Sequence, residues 1–183
     1  MRLLGPVLLL LAILVSACTA PFSTPPQETK LAQQTSKPML PGYVVKRAKK
    51  ASHALVLVHG ITGDGVSSWT SRNGTYWPNL MKEDPAFDDF DIYAYEYPTG
   101  IFGECMAVSD LATDMHAHLK SDSVFEEHEK VIFVPHSMGG LVVRTFLLRY
   151  RESADKVLMI IFFGTPTAGS RKANMASLLP TCS

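Results

Sequence analysis

Cysteine is scarce here: Cys18, Cys105 and Cys182 are the only three, far apart along the chain. Disulfide frameworks and zinc sites both need clustered thiols or thiols interleaved with histidine, so neither is encoded. A Cys105–Cys182 bridge stays open, because spacing alone does not bring two Cβ atoms together. Net charge is also missing, with 17 Lys plus Arg against 17 Asp plus Glu. No broad field exists to hold nucleic acid by counterion release, and nucleic acid is excluded as a partner. The short basic run Lys46, Arg47, Lys49 and Lys50 reads as a solvated face. No apolar stretch reaches the roughly 20 residues that a membrane-spanning helix needs. Internal repeats and heptads are absent as well, which excludes solenoids and coiled coils. What remains is a chain of 183 residues, 46% hydrophobic, enough for one globular domain with a real core.

The first residues read as an address. Arg2 precedes an apolar run from Leu3 to Val15, followed by small residues, the order found in secretory signal peptides. Val15, Ser16, Ala17 and Cys18 resemble the lipobox of bacterial lipoproteins, where cleavage precedes the cysteine and its sulfur is lipidated. That resemblance implies a signal peptide over 1–17, a membrane anchor at Cys18 and a place in the bacterial cell envelope. Thr19 in place of Asp implies sorting to the outer membrane. Residues 18–41 carry Pro21, Pro25, Pro26, Pro38 and Pro41 among Thr, Gln and Ser. Such a segment buries too little apolar surface to offset its ordering entropy, and it reads as an extended tether. Residues 42–183 are expected to form the folded domain.

Within that domain, strands and helices alternate. Continuous apolar runs at 54–58, 131–134 and 157–163, and the tyrosine-rich run at 91–97, predict strands, the first of them central. Helices are predicted over 77–81, over 104–119 and over 138–150. The alternation predicts an α/β fold, a mainly parallel sheet with flanking helices joined by right-handed crossovers.

The chemistry sits where strands end. Pro135, His136, Ser137, Met138, Gly139 and Gly140 lie between a buried strand and a helix. A serine on such a turn projects its hydroxyl beyond the carboxyl end of the sheet, beside helix-terminal N–H groups that can bind an oxyanion. Gly139 and Gly140 let the helix approach the strand. Ser137 and Gly139 resemble the last two fixed positions of the GxSxG nucleophile elbow of the α/β-hydrolase superfamily, with Pro135 in place of the first Gly. His59, Gly60, Ile61, Thr62 and Gly63 resemble the HG-x-x-G oxyanion loop of bacterial lipases and esterases, and Phe162 to Ser170 resemble the FFGTPHxGS signature of lipid esterases, with Thr167 in place of His. The resemblance implies that Ser137 is a nucleophile and that the backbone N–H groups of Ile61 and Met138 form the oxyanion hole. It also implies that His59 shapes the loop and that His136 is a packed or hydrogen-bonded neighbour of Ser137. An acyl-ester or lipid substrate follows, with no cofactor and no metal. Oligomeric state is left unread.

A serine hydrolase also needs a histidine base oriented by a carboxylate, and in this fold both follow the serine. All six histidines precede Ser137, and the only later carboxylates are Glu152 and Asp155. The expectation is therefore a partial α/β-hydrolase fold that lacks the C-terminal strands and is inactive as it stands. The alternatives are an acyltransferase or thioesterase of the same fold, and a lipoprotein that binds acyl ligands without turning them over.

Overall fold

The computed structural model describes residues 41–98 and 106–166. Cys18, Cys105, Cys182 and the expected signal peptide lie outside the described residues, as does nearly all of the tether. Among the described residues, no helix is long and apolar enough to cross a membrane.

Among the described residues, five strands form one sheet: β1 (Gly42–Val45), β2 (His53–Val58), β3 (Phe90–Tyr95), β4 (Lys130–Pro135) and β5 (Val157–Ile160). Their order is β1-β3-β2-β4-β5, with β2 at the centre. β2 pairs in parallel with β3 and β4, and β5 pairs in parallel with β4. β1 runs antiparallel to β3 and was not foreseen; its four residues lack the long apolar run that marks the others. The expected mainly parallel sheet is thus present, with an antiparallel edge strand added. Every residue of β2 is buried, which accounts for its unbroken ALVLV run.

The described residues also form five α-helices: α1 (Trp77–Glu83), α2 (Val108–Ser121), α3 (Val124–Glu127), α4 (Gly139–Arg149) and α5 (Arg151–Ala154). Along α2, Leu111, Ala112, Met115 and Leu119 recur at helical spacing and are fully or nearly fully buried. They join Val142, Val143 and Phe146 of α4 over Val56, Val58, Tyr93, Tyr95, Val131 and Phe133 of the sheet. Burial of each such aliphatic or aromatic side chain contributes about 1.5–3 kcal/mol. Asp110 in the first turn of α2 and Lys120 in the last complement its dipole.

Two expectations need correction. The helix predicted from Glu104 begins only at Val108, because Ala107 is extended (ψ 151°) and serves as the cap. The basic run is not simply solvated. The Arg47 guanidinium donates to the carbonyls of Met81, Lys82, Phe87 and Phe90, tying down the C-terminus of α1 and the 3₁₀ turn Pro85–Phe87. Lys46 pairs with the buried carboxylate of Asp91 and with Glu127, while Lys49 and Lys50 are exposed.

Candidate functional site

Ser137 sits on the turn between β4 and α4 with φ +52°, in the left-handed region. A non-glycine residue there costs about 1–2 kcal/mol, so the surrounding structure must hold it. It does so through the backbone: Ser137 N–H donates to Phe163 O at 2.7 Å, His136 N–H donates to Val58 O at 2.8 Å, and Gly140 N–H donates to Ser137 O at 3.2 Å. Pro135 is the last residue of β4, beside Val58, so its missing N–H falls where the strand ends.

Adjacency of β2 and β4 brings the turn after β2 against this elbow. A Cβ at Gly139 would lie 2.5 Å from His59 O and 2.6 Å from Val58 O, and one at Gly60 would lie 2.9 Å from Ser137 Cβ. Both approaches exclude any side chain. One at Gly140 would fall 2.1 Å from Thr165 Oγ1, so the segment after β5 also closes on the helix N-terminus. Ser137, Met138, Gly139 and Gly140 are therefore assembled with His59, Gly60 and Ile61 at the carboxyl end of the sheet. Among the described residues, the N–H groups of Ile61 and Met138 have no acceptor in the fold's hydrogen bonding, and Ser137 Oγ has no partner.

His59 is fully buried. Its Nε2 accepts from the Tyr97 N–H at 3.2 Å, which leaves the proton on Nδ1 to donate to Gly60 O at 2.8 Å. Burial holds its pKa below the ordinary histidine range. With both nitrogens engaged in holding the chain, the ring has no lone pair left to take a proton from serine. His136, by contrast, is exposed rather than packed inside, and its ring has no hydrogen-bond partner among the described residues. The other histidines lie elsewhere. His53 meets Asp89 at 3.0 Å, His128 meets Asp91 at 3.1 Å, His118 meets Asp114 at 3.2 Å, and His116 stacks on Tyr150 at 3.8 Å. None of them approaches Ser137 Oγ by a hydrogen bond.

Three groups at this end of the sheet escaped sequence reasoning. Tyr97, just beyond β3, stacks on the His59 ring at 4.2 Å, and its phenol donates to His59 O at 2.7 Å. Asp64 accepts from the N–H groups of Val66 and Ser67 at 2.7 Å each. Glu96 accepts from Gly65 N–H at 3.0 Å, fastening the loop to the end of β3. The only advance signal was the repeat of tyrosine at 93, 95 and 97, which puts all three on one strand face. A cleft of about 440 Å³ runs beside Asp64, Glu96 and Tyr97, but Ser137 does not line it. Among the described residues, no group of three or more His, Cys, Asp or Glu side chains could hold a metal ion.

Similar solved structures include the mature form of Bacillus licheniformis lipase BlEst2, 23% identical over 74% of this chain and 53% of that one, TM-score 0.47. Another is a carboxylesterase of the ammonia-oxidizing Thaumarchaeon Nitrososphaera gargenis, 22% identical over 67% of this chain and 40% of that one, TM-score 0.49. The chain spans about half the length of these structures. No curated relative matches it. Among the described residues the chain is a mainly parallel sheet with flanking helices, and residues 115–179, which include the Ser137 elbow, match the family model described as Lecithin:cholesterol acyltransferase.

Proposed function

We propose that Ser137 is the nucleophile of a site that cleaves acyl esters through an acyl-enzyme. The observation that carries this reading is a serine held at φ +52° beside two backbone N–H groups that have no acceptor among the described residues. Strain of this kind is maintained at sites where a side chain must be presented. In the first step a base removes the Ser137 Oγ proton as the oxygen attacks the ester carbonyl. The resulting oxyanion accepts from Ile61 and Met138 N–H, and the alkoxide leaves with the proton. Water or an alcohol then takes the acyl group. The family match supports an acyl-ester substrate and keeps acyl transfer to an alcohol as an outcome of the same intermediate.

Among the described residues no histidine is placed to act as this base, because His59 is occupied and no other ring is bonded to Ser137. That same absence favours the second reading, a lipoprotein that binds acyl ligands without cleaving them. A fluorophosphonate probe separates the two, with imidazole added as an external base. Expected is a phosphonyl adduct on Ser137, faster with imidazole and abolished in Ser137→Ala. An adduct that persists in Ser137→Ala would refute the nucleophile.

We also propose a lipid anchor at Cys18 and an outer-membrane location, supported by the run that ends in Val15, Ser16 and Ala17. Several acyl chains at about 0.8 kcal/mol per buried CH₂ would make such attachment lasting. Cys18→Ser is expected to abolish incorporation of a labelled fatty acid; undiminished incorporation would remove the anchor.

A further inference from the structure

The turn after β2 is gripped by one residue of the neighbouring strand. Tyr97 is 2% exposed and touches His59 in three ways. Its N–H donates to Nε2 at 3.2 Å, its phenol donates to the His59 carbonyl at 2.7 Å, and its ring lies over the imidazole at 4.2 Å with 14° between planes. The first contact leaves the proton on Nδ1. The second fixes the backbone that carries the ring, and the third prevents the ring from turning over.

What His59 does with that proton reaches the candidate oxyanion hole. Nδ1–H donates to Gly60 O at 2.8 Å, and Gly63 N–H donates to the same oxygen at 3.1 Å. The Gly60 carbonyl and the Ile61 N–H belong to one planar trans peptide and point in opposite directions. Two donors that fix the carbonyl therefore also fix the N–H. We infer that Tyr97 is a positioning residue, which sets the direction of the Ile61 N–H through His59 and the Gly60–Ile61 peptide. The inference rests on the reading of Ile61 as an oxyanion donor. Tyr97 touches no reacting atom.

Tyr97→Phe tests it in the full chain, because it keeps the ring and the N–H and removes only the phenol bond. Tyr93→Phe is the control. It too deletes a phenol bond of a buried tyrosine, to Asp122 at 2.7 Å, at the far end of α2. The first readout needs no activity: exchange of the His59 Nδ1 proton with solvent, followed by NMR. The second is the imidazole-assisted rate of fluorophosphonate labelling at Ser137, resolved into a maximal rate and a half-saturating concentration.

Expected in Tyr97→Phe is exchange faster by roughly tenfold, with a maximal labelling rate lower by about the same factor and half-saturation unchanged, a partial form of the ~10²–10³ effect of losing an oxyanion donor. Tyr93→Phe is expected to leave both readouts where they were. Equal effects of the two substitutions would reduce Tyr97 to a structural residue and overturn the inference. So would unchanged labelling in Tyr97→Phe, with the hydrolase reading intact. A wild-type chain that exchanges slowly but is never labelled at Ser137 would overturn the hydrolase reading, and the catalytic meaning of the clamp with it.

Discussion

At the scale of single residues, the site depends on atoms that are not there. Gly139 and Gly60 let the β2 turn and the elbow meet at distances no Cβ tolerates, and the contact at Gly139 is with backbone oxygens that have no freedom to retreat. His59 shows the complementary case, a titratable ring spent on structure. Its folded-state pKa lies below the ordinary value of 6.5 because burial penalises the imidazolium, outweighing the carboxylates of Glu96 and Asp64; His136 adds to the lowering. Tyr97 presents only a donor N–H to Nε2. Between the folded and unfolded pKa values the unfolded chain binds more protons, so stability from this group is complete above 6.5 and declines as the pH falls below it. Thermal melts between pH 7.5 and 5 should show that decline, with the His59 ring resonances titrating at lower pH than those of an ordinary histidine. A His59 midpoint at or above 6.5 would contradict the account. Asp89, whose carboxylate accepts from Ser52 N–H and meets His53, is held below its own ordinary value and acts in a separate window below about 4.

At the scale of elements, the strands that lead into the candidate site are legible in the sequence and the edge strand that frames them is not. β2, β4 and the start of β5 announce themselves as unbroken apolar runs; in β2 and β4 the reason is burial on both faces, which leaves no polar side. β1 is three half-buried residues and the buried Val45, and only its pairing with β3 makes it a strand. β5 ends at Ile160, three residues before its apolar run does, although Ile161 and Phe163 still donate to Phe133 O and Pro135 O. Its composition suits two-sided burial, yet it is the last strand of the described sheet, with Leu158 38% and Phe162 39% exposed. Unpaired edge backbone bearing apolar side chains invites association with other chains. Leu158→Lys should lower light scattering in concentrated solution while changing folding stability by no more than about 0.5 kcal/mol. Scattering that persists unchanged would place the sticky surface elsewhere.

At the scale of the whole molecule, the elbow and the oxyanion loop could be read as separate motifs, but their meeting is a property of sheet order. β2 and β4 are more than 70 positions apart in sequence and adjacent in space, in register from His53 beside Lys130 to Val58 beside Pro135. Alternating strands and helices implied neighbours of this kind. The Tyr97 clamp was beyond reach, because it needs the end of β3 and the end of β2 at the same height. Arg47 was misjudged for a related reason: its four carbonyl partners come from segments that only the fold assembles.

The left-handed backbone at Ser137 also bears on how such a chain can change over time. Glycine is the residue that this dihedral angle prefers, and mutation toward it would relax the turn while deleting the hydroxyl. A chain with no use for that oxygen would therefore fold at least as well with glycine at 137, so the hydroxyl is held in place at the expense of backbone ease.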